Sequence, residues 1–475
     1  MSFEADARLA VEALVAYQQR AASRIGPVIR QAPLRDLAAE LGIAEYIARG
    51  GLQGERLREF LDRYLSATTR LLHPGYLAHQ VAVPHTSGAI GALIDGFTNN
   101  AMAIYEMGPA AAAIEFVIVN WMLEKVGFAP APLPPAEPGP GTHGGGVLTH
   151  GGSAANLTAL LAARGRADPD AWRTGVRRDL VVIAPTAAHY SIARAVGIMG
   201  MGQQALRPAP TDANGRLVPD RLPHALRAVR EEGLSVLALV ANACSTAAGL
   251  YDPLREVASF CRENGLWLHV DGAHGASALL SARLRGRLEG IDGADSVVWD
   301  AHKMLRAPTL CAAVLVRDGR DLDRAFQQEA SYLFHEKDQP GFDFIHRTLE
   351  CTKAGLGLRL FLVLAAEGEA AIARYVERQV ELAVAAADLL RRERGFEVAV
   401  TPESNIVCFR VTVGDEDVDA LQLGLRRKLL ERGRHYVSTT ELRGRRWLRL
   451  AIMNPATDLD DIERLVAEIR ELHAA

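Results

Sequence analysis

The residue in this sequence best equipped for covalent chemistry is a lysine that directly follows an apolar run. Lys303 stands in Ser-Val-Val-Trp-Asp-Ala-His-Lys-Met, with Met304 and Leu305 behind it. Lysine is rare here: Lys125, Lys303, Lys337, Lys353 and Lys428 are the five, against 48 arginines. Arginine neither forms an imine nor deprotonates near neutrality, so the skew singles out each lysine in an apolar setting. An amine desolvated by such neighbours loses its proton more readily and attacks an aldehyde. A surface lysine is the ordinary alternative, and the apolar flanks weigh against it.

Three further features lie in the same stretch of chain. Thr149-His150-Gly151-Gly152-Ser153-Ala154-Ala155-Asn156 ends one apolar run and opens a helical pattern. Two glycines, free N–H groups and a helix N-terminus favour an anion, most often a phosphate, and Ser153 adds a hydroxyl. Asp271 closes the run Leu-Trp-Leu-His-Val, and His189 follows Asp-Leu-Val-Val-Ile-Ala-Pro. Singly these read as a glycine turn, a turn aspartate and a structural histidine. Together they supply an anion cradle, a ring-face partner, a carboxylate for a ring nitrogen and an amine for an imine. A phosphorylated pyridine aldehyde needs those four parts. The stretch 139–144 matches GxGxxG literally, but a proline-rich connector precedes it where a dinucleotide fingerprint requires a strand.

Those residues must be positioned by elements, and the chain from 147 to about 318 supplies them. Short apolar runs alternate with amphipathic stretches, the pattern of a mostly parallel sheet flanked by helices. Ligands in such folds bind beyond the carboxyl ends of the strands, where all four features fall. Residues 1–72 read as a helical N-terminal arm, 73–355 as a large cofactor-binding α/β domain and 356–475 as a small α+β C-terminal domain. Within them, 111–128 reads as a buried helix, 129–146 as a connector, and Thr457 as the cap of a last helix. The 475 residues are 49% hydrophobic and 23% charged, which excludes disordered and fibrous classes. A net charge of −4 gives no electrostatic case for nucleic acid or an anionic membrane. No apolar run reaches the roughly 20 residues that span a bilayer. An N-terminus without a basic-then-apolar leader and five scattered cysteines lacking a CxxC pair point to a reduced, cytoplasmic protein without metal.

At this point the residues resemble the group II pyridoxal-phosphate-dependent amino acid decarboxylases, which include the glutamate, 2,4-diaminobutyrate and aromatic amino acid decarboxylases. The resemblance runs from His-Pro-Gly-Tyr-Leu-Ala-His-Gln (73–80) and Asn-Asn-Ala-Met-Ala-Ile-Tyr-Glu-Met-Gly-Pro (99–109), through the motifs above, to Leu-Arg-Leu-Ala-Ile-Met-Asn-Pro (448–455). It implies the aspartate-aminotransferase-type fold and a homodimer with pyridoxal 5′-phosphate bound as an imine on Lys303. By the same resemblance Asp271 pairs with the ring nitrogen and His189 stacks on the ring. Gly152, Ser153 and His302 hold the phosphate, with Asp300 and Ser245 also at the cofactor. Arg449 takes the substrate carboxylate, and Gln80 lines the side-chain pocket.

This chain also departs from the family's pattern. His150 stands where serine is common, Cys244-Ser245-Thr246 where Gly-Thr-Thr is common, and Asp300 where asparagine is common. Many members protonate the product carbanion with a loop tyrosine, and the matching stretch 335–353 has none. Phe344 and His346 stand nearest to that place, and His346, which titrates near neutrality, is the expected acid. The resulting expectation is a carboxy-lyase that converts an L-amino acid to its amine and CO2. An oxygen-consuming aldehyde synthase is the alternative. A nucleotide enzyme would leave Lys303 unexplained, and a catalytically dead binding protein would have no use for an intact Lys303 and Asp271.

Overall fold

The computed structural model describes residues 2–133, 143–327, 341–412 and 417–474. The connector motif at 139–142 and the segment 335–340 lie outside the described residues. By chain contacts the molecule divides into one unit of residues 84–380 and a second of 1–83 with 381–475. That division differs from boundaries at 72/73 and 355/356: the N-terminal helices group with the C-terminal segment.

The first unit is built on seven strands: β1 (Gly145–Thr149), β2 (Leu180–Ala184), β3 (Leu206–Pro208), β4 (Ser235–Asn242), β5 (Leu268–Asp271), β6 (Ser296–Asp300) and β7 (Ala312–Val316). They lie in the order β1-β7-β6-β5-β4-β2-β3. Pairs β2–β3, β2–β4, β4–β5 and β5–β6 are parallel, whereas β7 runs antiparallel to both β1 and β6. This is the fold type I architecture that the motifs implied, with one reversed strand. Because β7 is reversed against both neighbours, β1 and β6 point the same way. The carboxyl ends of β1, β2, β4, β5 and β6 therefore share one edge. Strands such as Leu-Val-Val-Ile-Ala and Ala-Ala-Val-Leu-Val are buried throughout, as a sheet covered on both faces requires. The helix Gly152–Ala167 packs on this sheet through Leu157, Leu160 and Leu161, and the helix Pro109–Val126 buries Phe116, Ile118, Val119 and Met122.

The second unit has four antiparallel strands, β8 (Phe396–Val398), β9 (Ile406–Val411), β10 (Ser438–Leu442) and β11 (Arg445–Ala451), in the order β10-β11-β9-β8. Its core joins Val407, Phe409, Leu448 and Leu450 to Leu465 and Ile469 of the last helix, and Leu77 belongs to the same cluster. That helix is Leu459–Ala474. Its cap is Asp458, not Thr457: Asp461 N donates to Asp458 Oδ1 at 3.0 Å, and Asp458 N returns a bond to Asp461 Oδ2. The Thr457 hydroxyl is taken by the Pro74 carbonyl. Helices Phe3–Ala22, Leu34–Glu40, Ile43–Arg49 and Glu55–Ala67 make up the N-terminal part of this unit. Among the described residues no helix is long and apolar enough to cross a membrane.

Candidate active site

Five strand ends and one helix N-terminus converge on a cavity of about 230 Å³ in the first unit. Gly151, Gly152, Ser153 and Asn156 come from the end of β1, His189 from beyond β2, and Cys244 and Thr246 from beyond β4. Asp271 and His274 come from β5, and Asp300, His302 and Lys303 from β6. Gly151 has φ +98°, a conformation a side chain resists. A Cβ on Gly152 would sit 2.9 Å from both carboxylate oxygens of Asp300. Only glycine lets the first turn of the helix come so close to the end of β6. The result is a backbone cradle at a helix N-terminus, a place suited to a phosphate.

Lys303 Nζ lies 3.3 Å from Asp300 Oδ2, and the lysine side chain retains 19% exposure while the aspartate retains 2%. Asp300 Oδ1 is buried with no hydrogen-bond partner among the described residues. The His302 Nδ1–H donates to the Cys311 carbonyl at 2.8 Å, which fixes the ring across the reversal into β7. Asp271 ends β5 with both oxygens used: Oδ2 accepts from Asn156 Nδ2 at 3.0 Å, and Oδ1 from Ala273 N at 3.2 Å. His189 Nδ1 lies 2.7 Å from Ser191 Oγ, and burial pulls this imidazole below its ordinary pKa. An amine, a carboxylate, an imidazole and an anion cradle on one wall fit a phosphorylated aldehyde cofactor with a basic ring nitrogen.

Not every expected residue faces this cavity. Ser245 is buried with its hydroxyl accepting from Leu250 N, and its neighbours Cys244 and Thr246 line the wall instead. The turn at 244–250 claims the serine. His346 and Phe344 are not among the lining residues. Phe344 is buried against Phe342 and Lys353, and His346 sits half-buried on the short turn Phe344–Arg347. The loop acid expected at His346 is thus not brought to the wall. Arg449 and Gln80 belong to the second unit, where Arg449 Nη2 donates to Gln80 Oε1 at 2.9 Å and Arg449 Nη1 to the Ala78 carbonyl.

Sequence reasoning assigned no role to Asn156, His269 and Ser191, which bond the site's groups, nor to His150, noted only as a departure from the family, which lines the cavity and pairs with Glu350 at 2.6 Å. A signal for the first two existed. His269 lies two residues before Asp271 on a strand and so shares its face, and Asn156 is a polar residue one turn after Gly152, between the apolar Ala155 and Leu157.

A family model, the pyridoxal-dependent decarboxylase conserved domain, matches residues 69–412. An acidic amino acid decarboxylase, GADL1, of Mus musculus is 27% identical over 439 residues, covering 89% of this chain and 78% of the relative. L-2,4-diaminobutyrate decarboxylase of Acinetobacter baumannii is 26% identical, covering 87% and 83%. The crystal structure of mouse CSAD in apo form superposes with a TM-score of 0.88 at 25% identity, over 99% of this chain and 98% of that one.

Proposed function

We propose that this chain, which belongs to the pyridoxal-dependent decarboxylase family and uses pyridoxal phosphate, removes the α-carboxylate of an L-amino acid and releases the corresponding amine. What carries this reading is that the Lys303 amine and the Asp271 carboxylate line one cavity with the helix N-terminus at Gly152. When bound, the cofactor supplies an aldehyde for an amine and a protonatable ring that accepts the electron pair left by CO2.

Each residue then has a task. Lys303 would hold the cofactor's aldehyde carbon until the substrate amine takes that place. Asp271 would accept from the protonated ring nitrogen, and His189 would support the ring. Backbone N–H groups at Gly152 and Ser153, the Ser153 hydroxyl and His302 would hold the phosphate, with Asp300 beside Lys303. Arg449 and Gln80 are the residues we assign to the substrate carboxylate and side chain. We do not assign the final proton to His346, because it is absent from the cavity wall.

The experiment is a screen of amino acids with the cofactor-loaded protein, measuring CO2, amine, aldehyde and peroxide together. Amine formed in proportion to CO2 is the expected result. Peroxide formed in proportion to CO2 would overturn it in favour of the aldehyde synthase.

We also read the protein as a cytoplasmic homodimer. None of its five cysteines is joined in a disulfide among the described residues. Ile90, Leu93, Ile94 and Phe97 expose an apolar stripe on the helix Thr86–Thr98, the kind of surface a partner subunit covers. Sedimentation of the active protein as a monomer would refute the dimer.

A further inference from the structure

Along and behind the cavity wall, buried polar groups form a hydrogen-bond chain whose directions follow from its donor-only and acceptor-only members. Trp267 Nε1–H can only donate, and it donates to Ser296 Oγ at 2.9 Å. The Ser296 hydroxyl also lies 2.8 Å from His269 Nδ1. The directions are set from the other end: the Asp271 carboxylate only accepts, so Asn156 turns its Nδ2 hydrogens to Asp271 Oδ2 at 3.0 Å and Ser191 Oγ at 2.8 Å. A flipped amide would set its oxygen against a carboxylate oxygen. Asn156 Oδ1 therefore faces His269 Nε2 at 2.9 Å, so Nε2 carries the ring proton and Nδ1 accepts from Ser296. Ser191 in turn gives its hydroxyl proton to His189 Nδ1 at 2.7 Å, and the Ser191 backbone N–H points at the same nitrogen at 3.3 Å. His189 Nδ1 is therefore an acceptor, and its proton is on Nε2.

We propose that Asn156 and His269 are positioning residues that impose one proton arrangement on the site, with Asp271 fixed as an acceptor and His189 as an Nε2–H donor. The inference rests on the functional reading only in what those two groups are for; the hydrogen-bond directions stand without it. The consequence is chemical. A neutral imidazole protonated at Nε2 can donate a hydrogen bond from that nitrogen but has no lone pair there to take a proton. His189 is thus held as a donor to whatever lies against it, and is denied the role of base at that position. Burial supports the arrangement by holding His269 near a pKa of about 4 and lowering that of His189, so both rings are neutral at pH 7.

Two measurements test it. In protein carrying ring-15N histidine, with signals assigned by loss in His269→Gln and His189→Gln, both residues should show the Nε2–H tautomer before cofactor is added. An Nδ1–H tautomer, or a mixture, at either residue overturns the proposal. Binding of pyridoxal phosphate alone is the second readout, with circular dichroism confirming the fold. Glutamine at 269 can still donate to Asn156 and accept from Ser296, so His269→Gln should keep affinity within about threefold, whereas His269→Leu and Asn156→Asp should weaken it about 10- to 100-fold. Equal losses in the glutamine and leucine variants, or no loss in any, would overturn the proposal. Failure of the unmodified protein to bind the cofactor would defeat the functional reading, and the tautomers would still decide this one.

Discussion

Two lysines of the first unit, Lys303 and Lys353, invite the same description from sequence and have opposite surroundings. Both stand among only five lysines in the chain, Lys303 just past an apolar run and Lys353 in Cys-Thr-Lys-Ala-Gly-Leu. Lys353 is fully buried, and its Nζ donates to Glu115 Oε2 at 2.7 Å while Glu115 Oε1 accepts from Leu148 N. Burial pushes the Glu115 carboxyl up, against the Lys353 ammonium and the Leu148 N–H that hold it down. Lys303 has its carboxylate neighbour at 3.3 Å and opens on a cavity. The difference teaches that burial does not make a lysine reactive. A closed ion pair fixes the amine as structure, whereas an amine on a cavity wall is left able to meet a ligand.

The comparison breaks most sharply on substitution of each lysine. Lys303→Ala should lower turnover by at least about 10⁴-fold with its melting temperature near that of the unmodified protein. Borohydride reduction should label Lys303, and a label on Lys353 would reverse the assignment. Lys353→Met should cost about 3–5 kcal/mol in denaturant unfolding, because it strands a buried carboxylate. Adding Glu115→Gln should recover most of that loss, since an amide can still accept from Leu148 N. A Lys353→Met protein of normal stability would mean the pair contributes nothing.

Asp271→Asn should keep the fold and some cofactor while turnover falls by about two orders of magnitude or more, since an amide oxygen cannot hold the ring nitrogen protonated. Near-normal turnover would leave Asp271 as a structural residue. The site's buried rear also shows in acid. His269 titrates near 4 when folded and near 6.5 when unfolded, so below pH 6.5 the unfolded chain binds the extra proton. Stability should therefore fall by about 3 kcal/mol more in the unmodified protein than in His269→Gln between pH 6.5 and 4. Parallel pH profiles would show that His269 is not held neutral. The smallest effect is expected at the loop. His346→Ala should change turnover by less than about threefold, and a fall of tenfold or more would return the acid role to it.

Much of the site was legible because its residues follow strands. Lys303, Asp271, His189 and the Gly151–Gly152 turn each sit just past an apolar run, and parallel strands deliver their carboxyl ends to a common edge. The loop was not legible in the same way. Stretch 335–353 resembles its family counterpart by position, yet Phe344 packs into the interior and takes His346 with it onto the turn Phe344–Arg347. The setting of Ser245 was not legible for a related reason. Its motif position is right, but a turn hydrogen bond to Leu250 decides where the hydroxyl goes.

By itself the sequence determined which residues could react and that strands would present them, because strand periodicity, glycine spacing and the scarcity of lysine are properties of the chain alone. Tertiary structure decided which of two similar lysines is closed off, that β7 reverses between β1 and β6, and that a helix and a strand place Asn156 beside His269 and Asp271. Those outcomes depend on contacts between residues more than a hundred positions apart, such as Asn156 with His269 and Glu115 with Lys353. Local spacing cannot encode such pairings; packing and the need to satisfy buried polar groups select them.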